Sequence, residues 1–277
     1  MVMFGHPNAL AAYLVLVLGL GLGLILYYSL RQRQSESPEA AKQTSGKWQQ
    51  ILVYLGTFAC LLGIFASGSR NGLLVAISQL LVFGLFTKAS RVVLGLGAIG
   101  IVGLIAAVIR LGIGGRSLLA IDWSSDPRIG VWKFGLELLS QRPWLGWGLG
   151  NFKLQYPPGL IPEYQYIAHP HNFWLLLAVE AGIPVMILLT LWVGKICYLS
   201  VRQLITTPFN TPHQAVLLIY LLAFWGCVAF ALFDVTFYDA RINTMNWVLL
   251  TALYTLSRDA GSLDRSRTKE DIGQASV

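Results

Sequence analysis

Seven long apolar runs dominate this 277-residue chain and decide what it can fold into. They cover approximately Ala9–Leu30, Trp48–Ala66, Gly72–Thr87, Val92–Ile109, Asn172–Leu199, Ala215–Phe233 and Asn243–Leu256. A helix crosses the hydrocarbon core of a bilayer with about 20 apolar residues. Inside lipid its backbone has to satisfy its own hydrogen bonds, which a helix does within one segment. The third run is short and needs its flanks or a thinner bilayer. The fifth is long and contains Pro184, which predicts a kink. Composition agrees. Only 12% of the residues are charged and 55% are hydrophobic, about half the charge of a soluble domain. A soluble globular fold is therefore excluded, and so is a disordered chain, which needs low hydrophobicity. The expected fold class is an all-α integral membrane protein with about seven transmembrane helices and one large extramembrane loop.

The formal charge is +7. In a soluble protein such an excess would point to nucleic acid. Here it reads as topology, because Lys and Arg collect on the cytoplasmic side of a membrane. The linker 31–50, the pairs Lys88 with Arg91 and Lys195 with Arg202, and the tail after Leu256 hold twelve basic residues against six acidic ones. The opposite side holds eight basic against seven acidic. The N-terminus is thus expected outside, the C-terminus inside, and residues 111–171 outside. The chain divides into 1–110 (four membrane helices with linker 31–50), the loop 111–171, a three-helix part 172–257, and a solvated tail 258–277. Cys60, Cys197 and Cys227 sit singly in apolar runs, which suggests neither a disulfide framework nor a zinc site.

The outside loop is far longer than a connection requires. It carries Trp123, Trp132, Trp144, Trp147, Tyr156, Tyr164 and Tyr166, residue types that seat at a membrane interface. Within it Arg128–Gln141 has helical spacing of Ile129, Trp132, Leu136 and Leu139. The pattern predicts an amphipathic helix on the membrane boundary or packed on the bundle.

Few polar residues stand where lipid makes them costly, and those carry the candidate chemistry. Arg70, in Ser67-Gly68-Ser69-Arg70-Asn71-Gly72, sits on the side where arginine is disfavoured. It reads as a bidentate anion ligand or as a turn residue snorkelling to headgroups. Arg128 opens the amphipathic helix behind Asp126-Pro127, and is a second anion ligand or a solvated charge. His169-Pro170-His171-Asn172 precedes the fifth run. A histidine there can move protons near neutral pH, or simply pack at the interface, and Asn172 can cap the helix that follows. Histidines two apart do not share a helix face, so no metal site is expected. Glu180 is a buried carboxylate, in proton transfer or in an ion pair. Asp234 and Asp239 are expected to pair with Arg241. Gly146-Trp147-Gly148-Leu149-Gly150 lacks the strand and lysine of a nucleotide loop and reads as a tight turn. Gly19 and Gly23 mark close helix packing.

The order of these elements carries more than any one of them. Ser69-Arg70, then Arg128 with Trp132, then Arg142-Pro143-Trp144-Leu145-Gly146-Trp147-Gly148, then His169-Pro170-His171-Asn172 and Gly182 together resemble the bacterial O-antigen ligase and polymerase superfamily. The resemblance extends over about residues 5–257. Its histidine motif is followed by nine residues, Phe173 to Ala181, and then Gly182. The motif's last glycine is replaced by Val185. Gly5-His6-Pro7-Asn8 resembles an internal boundary of such proteins, so the chain reads as an N-terminally shortened member.

The resemblance implies a multi-pass protein of the bacterial inner membrane with the loop in the periplasm. It implies transfer of a glycan from an undecaprenyl diphosphate carrier to a sugar hydroxyl, on lipid A core or on another glycan. His171 would be the general base. Arg70 and Arg128 would bind the diphosphate, with Arg142 as a lesser candidate. His169 and Asn172 would support the base, and Glu180 would be a secondary catalytic candidate. No cofactor, metal or nucleic acid is implied, and no oligomeric state. Two other readings are a bicarbonate transporter-like member of the superfamily and an inactive fragment.

Overall fold

The computed structural model describes residues 7–34, 47–87, 127–161, 166–206 and 211–274. The expected span Val92–Ile109, most of the linker and the start of the loop lie outside these residues. Every regular element among the described residues is a helix. In chain order they are α1 (Pro7–Gln34), α2 (Lys47–Ala66), α3 (Arg70–Thr87), α4 (Pro127–Gln141), α5 (Phe152–Gln155), α6 (Phe173–Ala181), α7 (Ile183–Thr206), α8 (Pro212–Ala231) and α9 (Ala240–Gln274). A 3₁₀ turn, Thr236–Tyr238, links α8 to α9.

Four of these, α1, α2, α7 and α8, are long and apolar enough to cross a membrane, and α3 is a shorter apolar helix over Arg70–Phe86. The seventh expected run forms the first part of α9. The tail read as a solvated segment differs from expectation in its backbone, which stays helical to Gln274. No proline between Ala240 and Gln274 stops propagation once the helix is nucleated.

Lipid tails are as apolar as leucine, so burial alone does not drive helices together in a bilayer. Close approach and polar cross-links do. α8 is the best-buried helix and α1 lies along it. A Cβ on Gly19 would stand 2.5 Å from the Ala223 nitrogen, and one on Gly23 would meet the Ile219 Cα at 2.5 Å. The Gly19/Gly23 pattern therefore does mark a helix seam. Gln79 of α3 ties the seam from the side. Its Nε2 donates to the Val15 carbonyl at 2.8 Å and to the Leu222 carbonyl at 2.9 Å. Trp225 Nε1 donates to Ser78 Oγ at 3.0 Å, a second bond between α8 and α3.

A separate apolar cluster lies beside the bundle. Val131, Leu138, Phe152, Tyr156, Ile161, Ile167, Leu176, Val179 and Val235 pack together. It seats α4 on α6 by a face rotated from the expected one, with Leu139 still against the cluster. Val131, Gly135 and Leu138 are the buried positions, while Leu136 is largely exposed. Gly135 favours the rotation, since Leu175 Cδ2 comes within 3.0 Å of where its Cβ would stand.

The fifth run is broken rather than kinked. α6 ends at Gly182, whose φ of 91° is open to glycine and costly for other residues. Pro184 then falls in the first turn of α7, where its missing N–H costs nothing. The break lets the loop close on the bundle. Ile183 N–H donates to the Pro143 carbonyl at 2.8 Å, and a Cβ on Gly182 would collide with the Trp144 carbonyl oxygen.

Candidate functional site

The site begins with the way the helix ends are held. Asn172 caps α6, its side-chain oxygen accepting from Leu175 N–H at 2.9 Å, as its position predicts. Its Nδ2 donates to the Leu232 carbonyl at 3.1 Å, which joins the start of α6 to the end of α8. His171, one residue earlier, has a φ of 51°. Such left-handed backbone is uncommon outside glycine and marks a constrained position. The turn sets the imidazole against the residues that follow α8.

There Nδ1 of His171 lies 3.1 Å from Oδ1 of Asp234. Asp234 and Asp239 were both expected to pair with Arg241; Asp239 does so, at 2.7 Å, while Asp234 faces the histidine. Asp234 is buried and well satisfied. Its Oδ1 accepts from Val235 N–H at 2.8 Å, and its Oδ2 from Asn8 Nδ2 at 2.7 Å. Asn8 Oδ1 in turn accepts from Ser69 Oγ at 2.8 Å. Burial pushes the Asp234 carboxyl upward, but the His171 ring, Asn8 and the Val235 amide more than offset this and hold it well below the usual carboxylate range. Asp234 is therefore an anion facing an imidazole. In the neutral tautomer whose Nδ1 donates to that anion, Nε2 is the accepting nitrogen of the ring.

The other expected residues fall into two groups. Arg70 opens α3 directly after Ser69, so its backbone is tied through Ser69 and Asn8 to Asp234. Arg128 lies in the first turn of α4. One turn later Trp132 Nε1 donates to the Pro170 carbonyl at 2.7 Å, which pins that helix to the histidine segment. His169 stacks on Tyr238 at 5.4 Å and meets the His171 ring edge-on at 4.8 Å. His171 N–H donates to His169 Nδ1 at 3.3 Å.

Glu180 and Arg142 belong elsewhere. Among the described residues Glu180 makes no ion pair with an arginine; its Oε2 accepts from Gly150 N–H at 2.8 Å and its Oε1 from Phe152 N–H at 3.0 Å. It anchors the glycine- and tryptophan-rich turn, whose residues Trp147 and Gly148 also donate to the Val179 and Glu180 carbonyls at 2.9 and 2.8 Å. Arg142 is exposed, with its guanidinium 4.3 Å from the centre of the Trp147 ring.

Asn8 and Asp234 were not singled out for this site from the sequence. Asn8 sits in the Gly5-His6-Pro7-Asn8 stretch and Asp234 at the end of an apolar run, which were the available signals.

Among the described residues these features define an all-helical, multi-span membrane protein with a histidine–aspartate pair held where three helix ends and a loop converge. Residues 55–190 match the family model of the O-antigen ligases, and this match supports a member of the O-antigen ligase and polymerase superfamily. The matched segment contains Arg70, Arg128, Arg142, His169, His171, Asn172 and Glu180, while Asn8 and Asp234 lie outside it. No curated protein and no solved structure matches the chain. The family supports ligase- or polymerase-type, glycosyltransferase-like function and implies lipid-linked glycan substrates at a membrane. Together with the spanning helices it suggests a multi-pass protein of the bacterial inner membrane.

Proposed function

We propose that the chain transfers a glycan from an undecaprenyl diphosphate carrier to a sugar hydroxyl at the periplasmic face of the inner membrane. The observation that carries this reading is the His171–Asp234 pair, with His171 inside the family-matched segment. The acceptor hydroxyl oxygen attacks the anomeric carbon of the donor sugar. The bond from that carbon to the carrier's diphosphate breaks, and the diphosphate leaves with the electron pair. His171 Nε2 takes the hydroxyl proton. Asp234 is a positioning residue: it holds the ring through Nδ1 and stabilises the imidazolium that forms, as the acid of a catalytic triad does.

The departing diphosphate needs cationic ligands. Arg70 and Arg128 serve that role, since guanidinium forms paired bonds to phosphate oxygens and stays charged. Arg142, stacked on an indole, contributes less. Asn172 and His169 support the turn, and Glu180 acts by holding the loop rather than by proton transfer. The acceptor is lipid A core or another glycan. On this reading residues 111–171 face the periplasm between membrane parts 1–110 and 172–257, the N-terminus is periplasmic, and the tail 258–277 is cytoplasmic. The lysine and arginine distribution supports this orientation.

The reading is tested by expressing the chain in a ligase-deficient host and following glycan on lipid A core. Attachment that depends on His171 and is lost in His171→Ala supports it. Equal attachment by both proteins contradicts it.

A further inference from the structure

We propose that His169, His171 and Asp234 form a binding site for one divalent transition-metal ion of the zinc type, and that occupancy of this site shuts the transferase off. The inhibitory half rests on the reading of His171 as the proton acceptor. The metal-binding half stands on geometry alone.

One donor atom from each of the three residues lies within 4.8 Å of the other two. The set is two imidazole nitrogens and one carboxylate oxygen, which suits zinc and leaves a fourth position for water or a substrate oxygen. Two of the donors already stand at a workable separation. Zinc bonds of about 2.0–2.2 Å place tetrahedral ligands roughly 3.3 Å apart, and His171 Nδ1 lies 3.1 Å from Asp234 Oδ1. An ion there takes the place of the proton that these atoms share. The third ligand has to move inward by up to about 1.5 Å to meet bonds of that length. His169 is half-buried and lies edge-on to His171, so the site requires its ring to turn toward the other two donors.

Outer contacts of the kind that orient metal ligands are also in place. Asn8 holds Oδ2 of Asp234 at 2.7 Å, and the Val235 amide holds Oδ1 at 2.8 Å. Tyr238 stacks on His169. The backbone of His171 is set by its left-handed φ. Such supports fix ligand direction and raise metal affinity. Once an ion holds Nδ1 of His171, the ring no longer accepts a proton with Asp234 behind it, and the attacking hydroxyl loses its base.

The test uses the full chain in lipid nanodiscs, freed of any histidine tag and stripped with chelator. Zn²⁺ is titrated calorimetrically, and Co²⁺ is followed by its visible absorption as a report of coordination geometry. We expect one Zn²⁺ per chain and a tetrahedral-type Co²⁺ spectrum. His169→Ala and Asp234→Asn should each weaken Zn²⁺ binding at least about tenfold, while His213→Ala, at the start of α8, should leave it unchanged. Monodispersity of each variant shows that it is folded. Absence of stoichiometric binding by the wild-type chain overturns the site, and so does equal binding by His169→Ala and Asp234→Asn. In the same samples, glycan transfer should fall with Zn²⁺ occupancy and return with EDTA. Binding without inhibition overturns the link to transfer. A chain that binds Zn²⁺ as expected yet transfers nothing without it overturns the transferase reading and supports the metal site.

Discussion

His171 and Asp234 are 63 positions apart in the chain, yet Nδ1 of one lies 3.1 Å from Oδ1 of the other. The contact joins the start of α6 to the end of α8 across an interface that α1 also reaches through Asn8. The proposed general base and the carboxylate that would orient it thus come from different parts of the sequence.

Replacing Asp234 with Asn keeps the shape and removes the charge. The imidazole then loses its tautomer control and the stabilisation of its protonated form. Transfer should slow by about 10²- to 10⁴-fold, with far less change in donor binding. Single-turnover rates on saturating donor, set against donor affinity, check this split. A purely structural role for Asp234 would lower both together with the folded fraction.

Glu180 offers a stability prediction instead. Glu180→Ala leaves the Gly150 and Phe152 amides without their acceptor, and burial makes each loss costly, about 1–3 kcal/mol per group. Glu180→Gln keeps one carbonyl oxygen and should lose less. Thermal unfolding in detergent, read for both variants, should rank them in that order.

Gly146 and Gly182 lock the loop to the break between α6 and α7. Both have positive φ, and a Cβ on Gly146 would stand 2.5 Å from the Glu180 carbonyl oxygen. Gly182→Ala should destabilise by about 2 kcal/mol or more, from strained backbone and the collision with Trp144. Expression level and melting temperature measure it, with Gly150→Ala as a comparison, because its positive φ comes without a nearby atom.

The spanning character, the helix cap at Asn172 and the Gly19/Gly23 seam were legible in the sequence, because each depends on local spacing or on residue size. The buried face of α4 was not. Its periodicity favoured Ile129, Trp132, Leu136 and Leu139, but Gly135 offers Leu175 a place no apolar count registers. The partner of Asp234 was not legible either. Sequence distance favoured Arg241, while Asp239 stands closer to that arginine and takes it. Arg70, Arg128 and His171 could be nominated as costly polar residues, but not the Asn8–Ser69 relay that joins Asp234 to the start of α3, since hydrogen-bond partners across helices leave no periodic trace.

Asp239 also gives a pH prediction. The Arg241 guanidinium holds its carboxyl below the ordinary carboxylate range, and the same oxygen accepts Arg241 N–H at 2.9 Å ahead of α9. A lowered folded value means the contribution is complete above the unfolded value of about 3.9 and disappears as pH falls through the folded one. The pair is exposed and screened, so Asp239→Asn should lower the melting temperature only slightly at neutral pH, with the difference closing below about pH 4.

The central claim is tested most directly by reconstituting the purified chain with undecaprenyl diphosphate-linked glycan and a sugar acceptor, and measuring released undecaprenyl diphosphate against glycan joined to acceptor. The account predicts equal amounts of both products from the wild-type chain, neither above background from His171→Ala, and strongly slowed formation of both by Asp234→Asn. Wild-type rates from His171→Ala would contradict it.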